Sequence, residues 1–155
     1  MKIAYVTMQF PVASEAFAAV ELRALRRQGA EITVLAYRRP PGNAQALLAE
    51  RGLADLTIDH GGGPAVLQGV LQALLRPADS LALAAAILKD CWRRPMQLLK
   101  ALALLPRSFS MLHRLEALNP DVLHLFWGHY PSLVGLLARR RLPHTLVSLF
   151  LGAYD

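Results

Sequence analysis

Trp127-Gly128-His129-Tyr130 gathers several side-chain types suited to a polar ligand into one short stretch. An imidazole titrates near neutral pH, so His129 can act as a base or donate a hydrogen bond to a sugar or phosphate. Trp127 and Tyr130 carry aromatic faces with polar tips, which suit stacking on sugar rings. Gly128 lets backbone approach a ligand closely, or simply makes a turn. The plain alternatives are a solvated loop histidine and two rings that cover the end of a sheet. Ser14-Glu15 forms a second candidate: a hydroxyl that can cap a helix, and a helix N-terminus that can hold an anion. Gln9 lies just before it, and Gly152 and Asp155 lie in a third stretch. His60, His113 and His144 show no ligand spacing, and no Cys/His cluster points to a metal. His124 sits inside an apolar run and reads as a core histidine. Glu21 falls within the apolar arc of a helix, four residues from both Phe17 and Leu25, where a nearby arginine is its expected partner. Gly61-Gly62-Gly63 lacks both the dinucleotide fingerprint and the Lys-Ser/Thr of a phosphate loop, and reads as a flexible turn. Arg139-Arg140-Arg141 ends a helix, where the dipole favours cations.

The elements that must position these residues alternate along the chain. Residues 2–10 read as a strand ended by Pro11, and a helix starts at Ser14-Glu15 and closes at Gly29. A second strand covers 31–37, and a short helix over 44–51 ends at Gly52. Residues 56–59 form a short third strand, after which 61–64 breaks the chain. From 65 to 118 the pattern is helical, interrupted at Pro77, Pro95 and Pro106. A strand over 121–127, a helix over 131–141 and a last strand over 145–151 complete the order. Strand–helix–strand units predict parallel strands, and the continuous apolar character of the late strands predicts cover on both faces. The expected fold is α/β, a Rossmann-like doubly wound parallel sheet. In such sheets ligands collect beyond the C-terminal strand ends. Three stretches then share that edge: Gln9 to Glu15, Trp127 to Ser132, and Gly152 to Asp155. The last strand has no helix after it, so the chain reads as part of a longer enzyme.

The chain has 155 residues, 54% apolar and 18% charged, enough for one domain with a sizeable core and too few charges for disorder. One cysteine, Cys91, excludes a disulfide scaffold. No apolar run reaches the roughly 18 residues of a spanning helix, and no secretory leader is evident, so a cytoplasmic location is expected. The net charge of +6 is uneven: residues 1–75 carry +1 and residues 76–155 carry +5. Residues 76–116 mix seven Lys/Arg and three Asp/Glu with Trp92 and many leucines, a pattern suited to the anionic inner face of a membrane. Packing on the sheet is the alternative use of the same residues, with Trp92, Leu99 and Leu102 in the core. The basic residues follow no nucleic-acid motif.

The segment KIAYVTMQFPVASEAFAAVELRALRRQGAEITVLAYRRP resembles the amino-terminal end of retaining glycosyltransferases of family 4, which have the two-domain GT-B fold. The likeness is greatest to the exopolysaccharide and lipopolysaccharide sugar transferases whose first loop reads Ser-Glu-Thr-Phe. Here that loop is Ser14-Glu15-Ala16-Phe17, with Glu21, Leu25 and Gly29 following. NPDVLHLFWGHYPSLVGLLARRRLPHTLVSLFLGAYD is similar to the family's later strand, small-residue loop, helix, strand and terminal aspartate, here Asp155. Two departures stand out. His124 is followed by Leu125 and Phe126 instead of completing a His-Ala-His, and no histidine closely precedes Asp155. His129 is then the histidine left in a suitable loop. The resemblance implies the acceptor-binding, amino-terminal half of a GT-B enzyme, with Gln9, Ser14, Glu15, Trp127, Gly128, Tyr130, Gly152 and Asp155 about the substrate and His129 as catalytic residue. It implies a nucleotide-sugar donor bound by a separate carboxy-terminal domain, a glycan or lipid-linked acceptor, and a metal-independent retaining reaction without a cofactor. On that basis these 155 residues alone are expected to be inactive. A non-catalytic Rossmann-like scaffold and a basic nucleic-acid-binding module are the alternatives.

Overall fold

Strand residues alternate between two helical layers, and that alternation organises the molecule. The computed structural model describes residues 1–14, 16–128 and 130–151. Among them five strands form one parallel sheet: β1 (Lys2–Thr7), β2 (Glu31–Ala36), β3 (Ile58–Asp59), β4 (Val122–Phe126) and β5 (Leu146–Phe150). Their spatial order is β3-β2-β1-β4-β5. On β1, Ala4 and Val6 point into one core, with Leu35, Leu123 and Leu125 from neighbouring strands. Tyr5 points the other way, with Val34 and Phe126. The first core is closed by α4 (Pro77–Cys91), α5 (Pro95–Ala103), α6 (Leu105–Leu118) and α7 (Pro131–Arg141). The second is closed by α1 (Ala16–Arg27) and by α2 (Ala44–Glu50) with the residues just after it. The expected doubly wound, Rossmann-like α/β sheet is therefore the fold.

Local rules explain most boundaries. Gly29, at φ +82°, closes α1 in the left-handed region that glycine enters without strain. Pro77, Pro95 and Pro131 each sit in the first turn of a helix, where a missing N–H costs nothing. β1 ends at Thr7, short of the expected Phe10, although the Met8 carbonyl still accepts the Arg38 amide at 2.8 Å. The Phe10–Pro11 peptide bond is cis, and the Phe10 side chain is fully buried.

The glycine run behaves differently from the expected flexible turn. α3 spans Gly62–Leu75, so two of the three glycines open a helix. Gly61 caps it at φ +69°, and its amide donates to Asp59 Oδ1 at 3.0 Å. The helix then lies against α6 so closely that a Cβ on Gly69 would fall 1.7 Å from the Pro106 carbonyl oxygen. Arg140 and Arg141 also do more than face the helix dipole. Their Nε atoms donate to the two carboxylate oxygens of buried Asp79, at 2.9 and 2.6 Å, and tie α7 to α4.

Candidate functional site

Sequence order runs outward from β1 to β2 and β3, then returns to β4 on the other side of β1. The C-terminal ends of β1 and β4 therefore bound the crevice where ligands of such sheets collect. The loop after β1 carries Gln9 and Ser14. The loop after β4 carries Trp127, Gly128 and Tyr130. Both loops follow neighbouring parallel strands, so these candidates share one edge of the sheet, as expected. Glu15, His129, Gly152 and Asp155 lie outside the described residues.

The β1–α1 loop is held and filled by protein atoms. Gln9 Nε2 donates to the Arg39 carbonyl at 2.8 Å. The Arg51 guanidinium donates to the Val12 and Ala13 carbonyls at 2.9 and 3.0 Å. The loop has no glycine from Thr7 to Ser14, and Phe10 plugs the space beneath it. The loop therefore lacks the glycines by which a first loop of this fold lets backbone amides wrap a pyrophosphate.

The β4–α7 loop turns sharply. Trp127 has φ +76°, a left-handed conformation uncommon for a bulky residue. The conformation swings its ring edge-on to Phe17, Phe126 and Phe150, with centroids 6.1, 5.6 and 5.8 Å away. Trp127 thus covers the sheet end on the α1 side, while the backbone beyond it opens toward α7. Ser132 Oγ bonds to the Gly128 carbonyl and fixes the first turn of α7.

Behind that turn lies a cavity of about 280 Å³. Gly128, Tyr130 and Ser132 form one wall, and Asp90, Arg94 and Gln97 from the α4–α5 junction form the polar part of the other. The sequence reading placed Gly128 and Tyr130 at the site but missed the second wall, because α4 and α5 are remote in the chain. Pro95, which starts α5 just after Arg94, is the local signal that a turn falls there. Gln9, Ser14 and Trp127 share the edge without lining this cavity.

A second polar group crosses the sheet on the α1 side. Tyr5, His124 and Ser148 are paired across β1, β4 and β5. His124 Nδ1 shares a 2.9 Å hydrogen bond with Ser148 Oγ, and its Nε2 faces Glu21 Oε1 at 3.5 Å. The Tyr5 hydroxyl reaches Glu21 Oε2 at 3.4 Å. The partners of Glu21 are therefore a histidine and a tyrosine, not the expected arginine: α1 turns this arc to the sheet. Burial lowers the His124 pKa, and the Glu21 charge only partly offsets that. The ring is neutral at pH 7, but it is not the fully satisfied core histidine that was expected: Nδ1 is bonded, while buried Nε2 has no hydrogen-bond partner among the described residues and only faces Glu21. Among the described residues no group of His, Cys, Asp and Glu is arranged to hold a metal.

Fold and edge together define a Rossmann-like α/β domain with a cavity beside its switch point. Comparison of the chain with family models, curated proteins and solved structures returns no match.

Proposed function

We propose that these residues form the acceptor-binding half of a retaining glycosyltransferase of GT-B architecture. The observation that supports this most is the cavity where Gly128, Tyr130 and Ser132 face Asp90, Arg94 and Gln97. A carboxylate, a guanidinium, an amide and a hydroxyl offer donors and acceptors in the mixture that sugar hydroxyls need, and Tyr130 adds an aromatic face. The glycine-free, plugged loop after β1 argues against a dinucleotide there. His129, between two cavity-lining residues in sequence, is the proposed catalytic residue. Glu15, Gly152 and Asp155 remain its proposed neighbours on the substrate by the family resemblance. In this reading the nucleotide-sugar is held by a second domain, and transfer occurs in the cleft between the two.

The test is saturation-transfer NMR of the 155-residue chain with short oligosaccharides and, separately, with uridine and guanosine diphosphate sugars. Oligosaccharide signals are expected, and they should vanish in Tyr130→Ala and Arg94→Ala. Robust turnover of a nucleotide-sugar by this chain alone would refute the division of labour. Absence of saccharide binding would refute the acceptor site.

A further inference from the structure

Three consecutive helices show apolar side chains to solvent. α3 carries no charged residue in its 14 positions. Val66, Leu67, Val70, Leu71, Leu74 and Leu75 are all exposed, Leu67 at 75% and Leu74 at 73%. Their spacing sweeps about half of the helix circumference, the half turned from α6. On α4, Leu81, Leu88 and then Trp92 continue at helical spacing, and on α5 Met96 and Leu99 do the same; Trp92 and Leu99 are each 65% exposed. So many large apolar side chains exposed on three consecutive helices exceed the scattered apolar residues normal on a soluble surface and call for an occupant.

Charge selects that occupant. Lys89 and Lys100 are exposed on α4 and α5 and Arg93 in the turn between them, with Asp90 the one exposed acid of that stretch; Arg94, also in the turn, lines the cavity. The remaining cations of residues 76–116 are committed elsewhere. Arg76 pairs with Glu116, Arg114 with Asp59, and Arg107 donates to the Tyr37 and His60 carbonyls. α6 is largely core, so the outward surface lies over residues 66–103 and not 76–116 as the sequence alone implied. Arg93 stacks on the Trp92 ring at 4.7 Å, an aromatic–cation pair suited to a headgroup layer. A second copy of the same surface would bring like charges together, whereas anionic lipid meets both the leucines and the cations.

No single helix is long and apolar enough to cross a membrane. α3 and α4 pass that test only as a pair, and they are bent by 104° at their junction. A surface that docks without spanning lies in the interface plane, its apolar side chains entering the headgroup boundary and its cations meeting anionic lipid. We infer that the α3–α5 face docks this domain onto an anionic lipid surface, with α3 as the apolar wedge and Lys89, Arg93 and Lys100 as the headgroup contacts. Each cation near the surface contributes about fivefold to partitioning, and salt screens that contribution.

The test is co-sedimentation of the full chain with phosphatidylcholine vesicles, with and without phosphatidylglycerol, at low and high salt. Binding should be at least about tenfold stronger with phosphatidylglycerol and should fall severalfold in high salt. Leu71→Gln with Leu74→Gln should abolish it while circular dichroism and the thermal midpoint stay unchanged. If that variant folds poorly, Arg93→Gln with Lys100→Gln reads the same face through charge, with an expected loss of about tenfold or more. Equal, negligible binding in all conditions would overturn the inference. So would binding indifferent to lipid charge, or a dimer in gel filtration that the leucine substitutions dissolve without any vesicle binding.

Discussion

Neutralising Asp79 isolates the contact that seats α4, and with it one wall of the cavity, on α7. Asp79 is 3% exposed and accepts from Arg140 and Arg141 at 2.9 and 2.6 Å. Hydrogen bonds to a charged group contribute about 1.5–3 kcal/mol each where both partners are buried. Here the two arginine side chains are 52% and 44% exposed and recover water when released, which discounts the gross value. Asp79→Asn keeps the shape and loses the charge, and should cost about 2 kcal/mol. Asp79→Ala, which also leaves a void, should cost about 3 kcal/mol. Urea unfolding at pH 7 reads this as a lower midpoint at constant slope. The pH dependence gives a second check. Burial alone would raise the Asp79 carboxyl, but the two guanidiniums prevail and hold it below the usual carboxylate range. A depressed folded pKa means that the contribution is complete above the unfolded value of about 3.9 and is lost as pH falls through the folded one. Wild type should therefore lose stability more steeply than Asp79→Asn as pH falls below about 3.9. A variant within about 0.5 kcal/mol of wild type at pH 7, with the same acid limb, would refute the clamp.

Gly69→Ala should lower the thermal midpoint despite a gain of about 1 kcal/mol in helix propensity, because the new Cβ meets the Pro106 carbonyl oxygen at 1.7 Å; a raised midpoint would disprove the close approach. Tyr37→Phe removes a buried 2.8 Å hydrogen bond to Ser108 Oγ and should cost about 1 kcal/mol by denaturant titration, since Ser108 keeps its bond to the Leu104 carbonyl. His124 is held neutral by burial, so the unfolded chain takes up its proton first: stability should fall as pH drops below about 6.5, and the thermal midpoints of His124→Gln should vary less between pH 7 and 5.

Periodicity and punctuation made the sheet legible. The run Ile3–Val6 and the strand-forming EITVLA of β2 declare strands locally, and Gly29, Gly52 and the three prolines mark helix ends within a residue or two. The glycine run deceived because its composition reads as a turn, while its conformation is decided by Asp59 beneath Gly61 and by the carbonyl that Gly69 must admit. Asp79 gave no warning either. Its two partners lie 61 and 62 residues away, and burial of a carboxylate has no local signature. The same holds for the cavity: Gly128 and Tyr130 follow from the strand-end rule, whereas Asp90, Arg94 and Gln97 reach it only through packing of α4 and α5 on α7. Trp127 carried two readings in sequence, stacking on a ligand or covering the sheet, and the aromatic contacts that favour cover depend on Phe150, from another strand.

The central place of β1 sets the order in which the molecule can assemble. β1 meets β2 across a short connection, but its other neighbour, β4, arrives only after six helices: the Lys2 amide bonds Asp121 across 119 residues. Closing the longer loop adds only about 1 kcal/mol of chain entropy over the shorter one, so equilibrium stability hardly registers it. Kinetics does, because distant parallel pairings form slowly. During synthesis the β1–α1–β2 unit emerges with one side of β1 bare, and it stays bare until residue 126 has left the ribosome. The apolar α3 emerges in that same interval. A nascent chain of this protein therefore presents an open strand edge and a leucine-rich helix together, the combination that invites chaperones or self-association.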